Sequence, residues 1–151
     1  MQHVIRVFTD GSAIGNPGPG GWAAVVLHDR QRYEMAGSEP WTTIQAMELF
    51  AAVRALSLLT AGSRVELRSD SEYLIKRMRT YVFRWLNQGW RNRQGRKLQD
   101  QDLWEQLLVL NQALSIDWQW VRGHNGHPEQ TRADALAYRA ARSIVYTQRA
   151  A

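Results

Sequence analysis

Two aspartates, Asp10 and Asp70, each stand at the end of a predicted strand. The first ends the alternating segment 3–10 and is followed at once by Gly11, and the second ends the segment 63–70. If these strands are parallel neighbours, both carboxylates emerge at the same edge of the sheet, where open α/β sheets place their ligand sites. Taken singly, each aspartate is also typical of a helix N-cap or a turn.

A third carboxylate, Glu48, lies inside a predicted helix on a face shared with Ile44 and Ala52. An ionised carboxylate is costly to bury among apolar groups without a partner. One interpretation is that Glu48 reaches the edge of this face or pairs with an arginine. The other is that it meets Asp10 and Asp70, where a divalent cation would relieve the repulsion between clustered carboxylates.

Asp134 is the fourth candidate, placed in the first turn of the predicted last helix, where the helix dipole alone could account for it. His124 and His127 precede it in a loop; the chain has no cysteine and their spacing is poor for zinc. A histidine beside clustered carboxylates suits proton transfer better. All-oxygen ligation favours Mg²⁺ or Mn²⁺, and no lysine completes a nucleotide-binding loop after the glycines that follow Asp10.

The elements that would position these residues alternate along the chain. Three strands come first, and strands and helices then alternate, which predicts an α/β fold with one mixed sheet of five strands flanked by helices. The first, fourth and fifth strands are predicted to be parallel neighbours. The predicted strands are 3–10, 22–29, a shorter one within 32–40, 63–70 and 116–121; the predicted helices run from Thr43 to a stop at Gly62, over 71–88, from an N-cap at Asp102, and from near Thr131.

Composition limits the class of protein. The chain has 151 residues, 44% hydrophobic and 22% charged, which is typical of a globular protein with a single domain over 1–151. Disulfides and cysteine nucleophiles are excluded, and a reducing cytoplasm is the natural setting. No apolar run is long enough to span a membrane, and nothing in the sequence indicates an oligomer, so we expect a monomer.

The net charge of +5 is unevenly distributed. The segment from Lys76 to Lys97 contains eight basic residues and no acidic one, with Trp85 and Trp90 among them. Basic side chains interleaved with aromatic rings suit a phosphate backbone and its sugars or bases. The alternative is a solvated helix face.

Five segments together resemble bacterial type 1 ribonuclease H, in that family's order and spacing across nearly the whole chain. They are TDGSAIGNPGPGG with Asp10, TTIQAMEL with Glu48, SDSEYL with Asp70, RWLNQGW in the basic run, and WVRGHNGHPEQTRAD with His124 and Asp134. The resemblance implies a ribonuclease H-like fold with three antiparallel and two parallel strands. It also implies endonucleolytic cleavage of the RNA strand of RNA–DNA hybrids, leaving 5′-phosphate and 3′-hydroxyl ends.

The resemblance also assigns roles. Asp10, Glu48, Asp70 and Asp134 match the ligands of two Mg²⁺ ions, for which Mn²⁺ could substitute, and His124 matches a loop histidine that assists proton transfer or product departure. The partner would be the hybrid duplex, with no membrane and no obligate protein partner. The positions that match substrate contacts are Gly11, Ser12, Ala13 and Glu72 for the RNA minor groove, Asn16 and Thr43 for a DNA phosphate, Gln45 for its amide, Tyr81 and Trp85 for the DNA sugars, and Trp90, Arg91, Arg93, Arg96 and Lys97 for the basic protrusion.

Three positions depart from the family pattern. Ile44 stands where an amide is usual, Ala46 where an arginine is usual, and Glu72 where glutamine is frequent. These changes predict weaker hybrid affinity with the chemistry retained. The alternatives are a related polynucleotidyl transferase such as an integrase core, a non-catalytic hybrid-binding module and a nucleic-acid coat protein; the second and third would have no need for four carboxylates in register.

Overall fold

The predicted five-stranded mixed sheet is confirmed in a computed structural model, which describes residues 3–123 and 127–150, with side chains up to residue 144. The strand order is β3-β2-β1-β4-β5; β1 pairs antiparallel with β2 and parallel with β4, and β4 pairs parallel with β5. The prediction that the first, fourth and fifth strands are parallel neighbours is therefore confirmed. The strands are β1 (Ile5–Ala13), β2 (Gly18–His28), β3 (Gln31–Thr42), β4 (Arg64–Ser69) and β5 (Ser115–Trp120).

Helices pack on both faces of the sheet. Val7 of β1 lies in the main core with Leu49, whereas its neighbour Phe8 packs against Ala133 in a smaller cluster. Because neighbouring strand residues point to opposite faces, the helices that carry Leu49 and Ala133 lie on opposite sides. The helical segments are α1 (Ile44–Leu56), α2 (Glu72–Lys76), a π-helical turn (Arg77–Tyr81), α3 (Val82–Asn87), α4 (Gln101–Ala113) and α5 (Pro128–Ala150).

Most of the glycine-rich segment after Asp10 is strand, and only residues 14–17 form the turn. We predicted that Asp10 ends the first strand, and this is wrong: β1 continues to Ala13, and Gly11 pairs with Trp22 of β2. A Cβ atom on Gly11 would lie 2.5 Å from the backbone nitrogen of Glu48, so glycine here allows α1 to approach the sheet. The turn itself is short, and Gly15 takes a φ of +68° within it.

Glycine also brings α5 close to the sheet. A Cβ atom on Gly21 of β2 would lie 2.2 Å from the carbonyl oxygen of Ala137. Ala133 and Ala137 are fully buried on the facing side of α5. The last helix therefore packs almost directly on the backbone of β2, and it also contacts β1, which carries Asp10.

Several predicted boundaries differ from the structure. The third strand, predicted to be short, is the longest of the five, and α1 ends at Leu56 instead of continuing to Gly62. The N-cap position of α4 is Asp100, whose carbonyl accepts hydrogen bonds from the amides of Leu103 and Trp104. Asp102, the predicted N-cap, lies in the first turn. The last helix begins at Pro128, so Asp134 lies in its second turn, not its first. The dipole explanation for Asp134 therefore weakens, because that effect fades beyond the first turn.

An exposed ion-pair network joins the edge strand to α5. The Arg132 guanidinium donates two hydrogen bonds to Glu34, of 2.9 and 3.1 Å, and Arg32 adds a third at 3.1 Å. The bonds from Arg132 and then Arg32 hold the pKa of Glu34 below its usual value. Ionised Glu34 therefore stabilises the folded state at pH values above the pKa that Glu34 has in the unfolded chain. This stabilisation is lost as pH falls through the lower pKa that Glu34 has in the folded chain.

We expect Glu34→Gln to lower the Tm by about 1–2 °C at pH 7, because exposed pairs contribute little. The loss should shrink as pH falls through 4 and again in high salt. Thermal unfolding at several pH values measures it. A Tm difference independent of pH would show that the charge of Glu34 is not what matters.

Among the described residues, no helix combines the length and apolar character that crossing a membrane requires.

Candidate active site

Three carboxylates from different elements converge beside the carboxyl end of β4. Asp10 comes from β1, Glu48 from the second turn of α1, and Asp70 directly follows β4. One oxygen from each lies within 4.8 Å of the other two. The structure thus brings together three of the four carboxylates that the sequence singled out.

Asp10 is the most buried of the three, with 4% of its surface exposed. Its Oδ1 accepts a hydrogen bond of 3.0 Å from the Gly11 amide. Burial, the nearby charge of Asp70 and a hydrogen bond with Asp134 raise the pKa of Asp10 to about 9. The fourth carboxylate, Asp134, is itself exposed but touches the cluster through this bond to Asp10.

Glu48 is held by a serine that the sequence analysis did not select. Burial raises its pKa to about 7, the Ser71 hydroxyl bond opposes this rise, and the charge of Asp70 adds to it. Ser71 is buried and also caps α2 by accepting from the Leu74 amide at 3.1 Å. Its position directly after Asp70 was the available signal.

Asp70 is fixed by contacts distant in sequence. The Trp120 indole donates to the Asp70 carbonyl at 3.1 Å. A Cβ atom on Gly123 would lie 3.1 Å from Asp70 Oδ2, so glycine leaves room for the carboxylate. No sequence signal indicated the Trp120 contact, because the two residues meet only when β4 and β5 pair.

The predicted proton carrier, His124, lies outside the described residues. His127 is partly buried and immediately precedes α5.

The donor set fits a divalent metal ion. All three clustered groups are carboxylates, which are the ligands that hard cations prefer. Burial, and then the negative charge of Asp70, raise the pKa values of Asp10 and Glu48. A divalent cation would supply the missing positive charge.

A polar corner links the β1–β2 turn to the start of α1. Asn16 Oδ1 accepts from the Ile44 amide at 3.0 Å, and Asn16 Nδ2 lies 3.5 Å from Gln45 Oε1. Thr43 caps α1 by accepting from the Ala46 amide at 3.0 Å. The predicted phosphate-contact residues Asn16 and Thr43 are thus neighbours, and Ser12 and Ala13 lie in β1 leading into the same turn. Ala46 and Ile44 contribute backbone amides here.

Aromatic rings line a cleft of about 400 Å³ beside α3. Tyr81 and Trp85 stack with ring centroids 6.2 Å apart, and Trp85 meets Trp104 edge-on at 5.2 Å. Arg77 lies 4.0 Å from the centre of the Tyr73 ring. The cleft combines flat apolar walls with guanidinium groups, as a sugar–phosphate backbone requires.

The basic loop over 91–97 is an ordered hairpin. The backbones of Arg91 and Lys97 form an isolated antiparallel β-bridge. The Arg91 guanidinium donates a hydrogen bond of 2.9 Å to the Gly95 carbonyl. Asn92 Oδ1 accepts from the amides of residues 94 and 96. Trp90, at the base of the hairpin, is partly buried against the main core. The residues left exposed include Arg93, Arg96 and Lys97.

Comparison with known proteins agrees with the fold. The sequence profile of the RNase H family matches residues 2–142. Ribonuclease H of Thiobacillus denitrificans is 46% identical over 134 residues, covering 89% of this chain and 90% of that protein. Ribonuclease HI of Caulobacter vibrioides is 42% identical over 137 residues, covering 91% and 92%. The chain belongs to the ribonuclease H family.

Solved structures of other proteins share the fold of this chain. LC9-RNase H1, described as a type 1 RNase H with the type 2 active-site motif, gives a TM-score of 0.82 at 30% identity, over 95% of this chain and 74% of that one. LC11-RNase H1, solved with an RNA/DNA hybrid, shares the fold with a TM-score of 0.68 at 23% identity, over 93% and 99%.

Proposed function

We propose that this protein is an endoribonuclease that hydrolyses the RNA strand of RNA–DNA hybrids and leaves 5′-phosphate and 3′-hydroxyl ends. The observation that carries the proposal is the cluster of Asp10, Glu48 and Asp70, with Asp134 bonded to Asp10, in a member of the ribonuclease H family.

Two Mg²⁺ ions, or Mn²⁺ in their place, are the proposed cofactor, held by Asp10, Glu48, Asp70 and Asp134. When bound, they would supply Lewis acidity for attack of water on the phosphodiester and for departure of the 3′-oxygen. The protein contributes rigid placement: Ser71 orients Glu48, and Trp120 and Gly123 position Asp70. We assign proton transfer or product release to His124.

The surfaces around the cluster suit a hybrid duplex. The backbone of Gly11–Ala13 and Glu72 would face the RNA minor groove, where 2′-hydroxyls distinguish RNA from DNA. The corner of Asn16, Thr43 and Gln45 would take a DNA phosphate, and Tyr81 with Trp85 would pack against DNA sugars. The basic hairpin, through Arg91, Arg93, Arg96 and Lys97 with Trp90 at its base, would hold the backbone without reading bases.

We also propose that residues 1–151 form one ribonuclease H domain, acting as a cytoplasmic monomer without an obligate protein partner. The family match over 2–142 supports the domain assignment.

The test is cleavage of a labelled RNA–DNA hybrid with Mg²⁺, with Mn²⁺ and with chelator. Matched double-stranded RNA and DNA serve as controls. Metal-dependent cutting of the RNA strand in the hybrid alone supports the proposal. Hybrid binding without cutting in either metal would support the second candidate, a non-catalytic hybrid-binding module, which the basic hairpin alone would favour.

Glu72 should weaken hybrid binding. It is exposed at the start of α2, two residues after Asp70, and so adds negative charge where RNA phosphates would lie. We expect Glu72→Gln to lower KM about threefold at low salt, by removing repulsion of the size found for exposed charges. Ile44→Asn should lower KM further by restoring an amide beside Asn16.

Steady-state kinetics on one hybrid at several salt concentrations measure both changes. Glu105→Gln removes a charge on α4, away from the cluster, and is the matched control. An unchanged KM in Glu72→Gln and Ile44→Asn would contradict the interpretation of these departures.

A further inference from the structure

Buried polar side chains are concentrated at one place in the fold. Among the described residues they are Thr9, Asp10, Ser69, Ser71 and Gln130. Four of them belong to β1 or flank Asp70, next to the carboxylate cluster. Gln130 is the exception in sequence, since it comes from the first turn of α5, and the proposed chemistry gives it no role.

Gln130 ties the start of α5 to β1. Its Nε2 donates to the carbonyl oxygen of Thr9 at 3.0 Å, across 121 positions of sequence, and the residue is 4% exposed. Thr9 directly precedes Asp10. Asp134 follows Gln130 by four residues, which places the two on the same face of the helix one turn apart. This single bond therefore joins the two segments whose carboxylates, Asp10 and Asp134, contact each other.

The other contacts of α5 control its distance from the sheet better than its position along the sheet. Ala137 lies over Gly21 in a close contact of small groups, and Ala133 packs against Phe8 and Val25 through non-directional apolar contact. The ion pair of Arg132 with Glu34 is exposed and so holds geometry weakly. A directional hydrogen bond in a buried place, such as that from Gln130 to the Thr9 carbonyl, is better suited to set where along β1 the helix lies.

Half of the amide is unsatisfied. Gln130 Oε1 is buried and has no hydrogen-bond partner among the described residues. An unpaired buried oxygen destabilises the fold, and methionine would fill a similar volume without it. Stability alone is therefore a poor explanation for glutamine at this position.

Resting on the proposed function, we propose that Gln130 is a positioning residue: its bond to the Thr9 carbonyl sets the register of α5 on β1 and so holds Asp134 against Asp10 for shared metal binding. It touches neither metal nor substrate. Its effect should appear in metal affinity and kcat, with little change in hybrid affinity.

The experiment compares Gln130→Met, which keeps the length and removes the donor, with Gln130→Asn, which keeps an amide on a shorter stem. Isothermal titration with Mn²⁺ on the substrate-free protein should show affinity reduced several-fold in Gln130→Met and partly recovered in Gln130→Asn. Kinetics should show kcat lowered about tenfold in Gln130→Met, with KM for the hybrid within about twofold.

Asn111→Ala is the matched control, because it removes a 2.9 Å bond from the Trp118 indole on the β5–α4 side. It should lower the Tm and leave Mn²⁺ affinity and kcat unchanged. If Gln130→Met lowers only the Tm, or leaves both Mn²⁺ affinity and kcat at wild-type values, the proposal is wrong. Should Gln130→Met not fold, Gln130→Leu, which also lacks the donor and adds no charge, replaces it beside Gln130→Asn in the same titration, with the same reduced Mn²⁺ affinity expected. Because Mn²⁺ affinity is read without substrate, failure of the proposed ribonuclease activity remains distinguishable.

Discussion

Asp10→Asn should reduce kcat on the hybrid by at least about 10³-fold while making the metal-free protein harder to unfold. Asp10 contacts every other carboxylate of the site: it lies in the cluster with Asp70 and Glu48, and it is hydrogen-bonded to Asp134. An amide keeps the shape but loses the charge that metal binding needs. Hybrid binding should persist, because the cleft and basic hairpin are untouched.

The stability gain follows from the sign of the pKa shift. The pKa of Asp10 rises from 3.8 to about 9 on folding, so at pH 7 the unfolded chain releases a proton that the folded, metal-free chain retains. Ionisation thus favours the unfolded state at neutral pH. Asparagine cannot ionise, and we expect a gain of about 2 kcal/mol, or a Tm higher by about 6 °C.

The gain should grow as pH rises from 4 towards 9, the interval over which Asp10 ionises only in the unfolded chain, and vanish below pH 4, where Asp10 becomes protonated in both states. Thermal unfolding in chelator across this range measures it, beside the exposed control Asp117→Asn, which should not be stabilised. Adding Mg²⁺ should stabilise the wild type and have much less effect on Asp10→Asn. A variant that cuts the hybrid, or that unfolds earlier than wild type at pH 7, would contradict the assigned role of Asp10.

Strand periodicity and residue type indicated the cluster as one of two interpretations. Asp10 lies on β1 and Asp70 directly follows β4, two strands whose parallel pairing the order of elements indicated. Glu48 was conspicuous as a carboxylate on an apolar helix face. These signals are local, because each depends on a few neighbouring residues. The resemblance to a known family then supplied the substrate, which no local pattern contains.

The errors in element boundaries lie at glycine and proline positions. Glycines after Asp10 were interpreted as a turn, although Gly11 and Gly21 are small so that α1 and α5 can approach strand backbone. Glycine serves both needs, and sequence alone does not separate them. Similarly, α5 begins at Pro128, a residue well suited to the first helical position, and this moves Asp134 one turn further into the helix.

The contacts that position the carboxylates could not be predicted from the sequence, for a different reason. Ser71 to Glu48, Trp120 to Asp70 and Gln130 to Thr9 join segments far apart in sequence. Their partners are fixed only once β4, β5 and α5 have taken their places around β1. The charged residues of the site can thus be identified from the sequence, whereas the residues that position them are identified only once the fold is known.

Replacing Arg93, Arg96 and Lys97 together by glutamine should raise KM for the hybrid about tenfold at moderate salt. These side chains are exposed on the hairpin, so their charges are free to meet phosphates. Arg91 is left in place because its bond to Gly95 holds the hairpin. Each lost phosphate contact releases about one fewer counterion, so the slope of log affinity against log salt should fall by about 2–3.

The expected pattern is specific to the position of the charges. A control triple, Arg30→Gln with Arg64→Gln and Arg139→Gln, also removes three exposed positive charges, but from outside the hairpin. It should change KM only slightly, through the weaker long-range field. At saturating hybrid the hairpin triple should keep its kcat, because the carboxylates remain in place. Equal KM changes in the two triples would mean that net charge, and not the basic hairpin, attracts the duplex; a lower kcat in the hairpin triple would mean that the hairpin also aligns the scissile phosphate with the carboxylates.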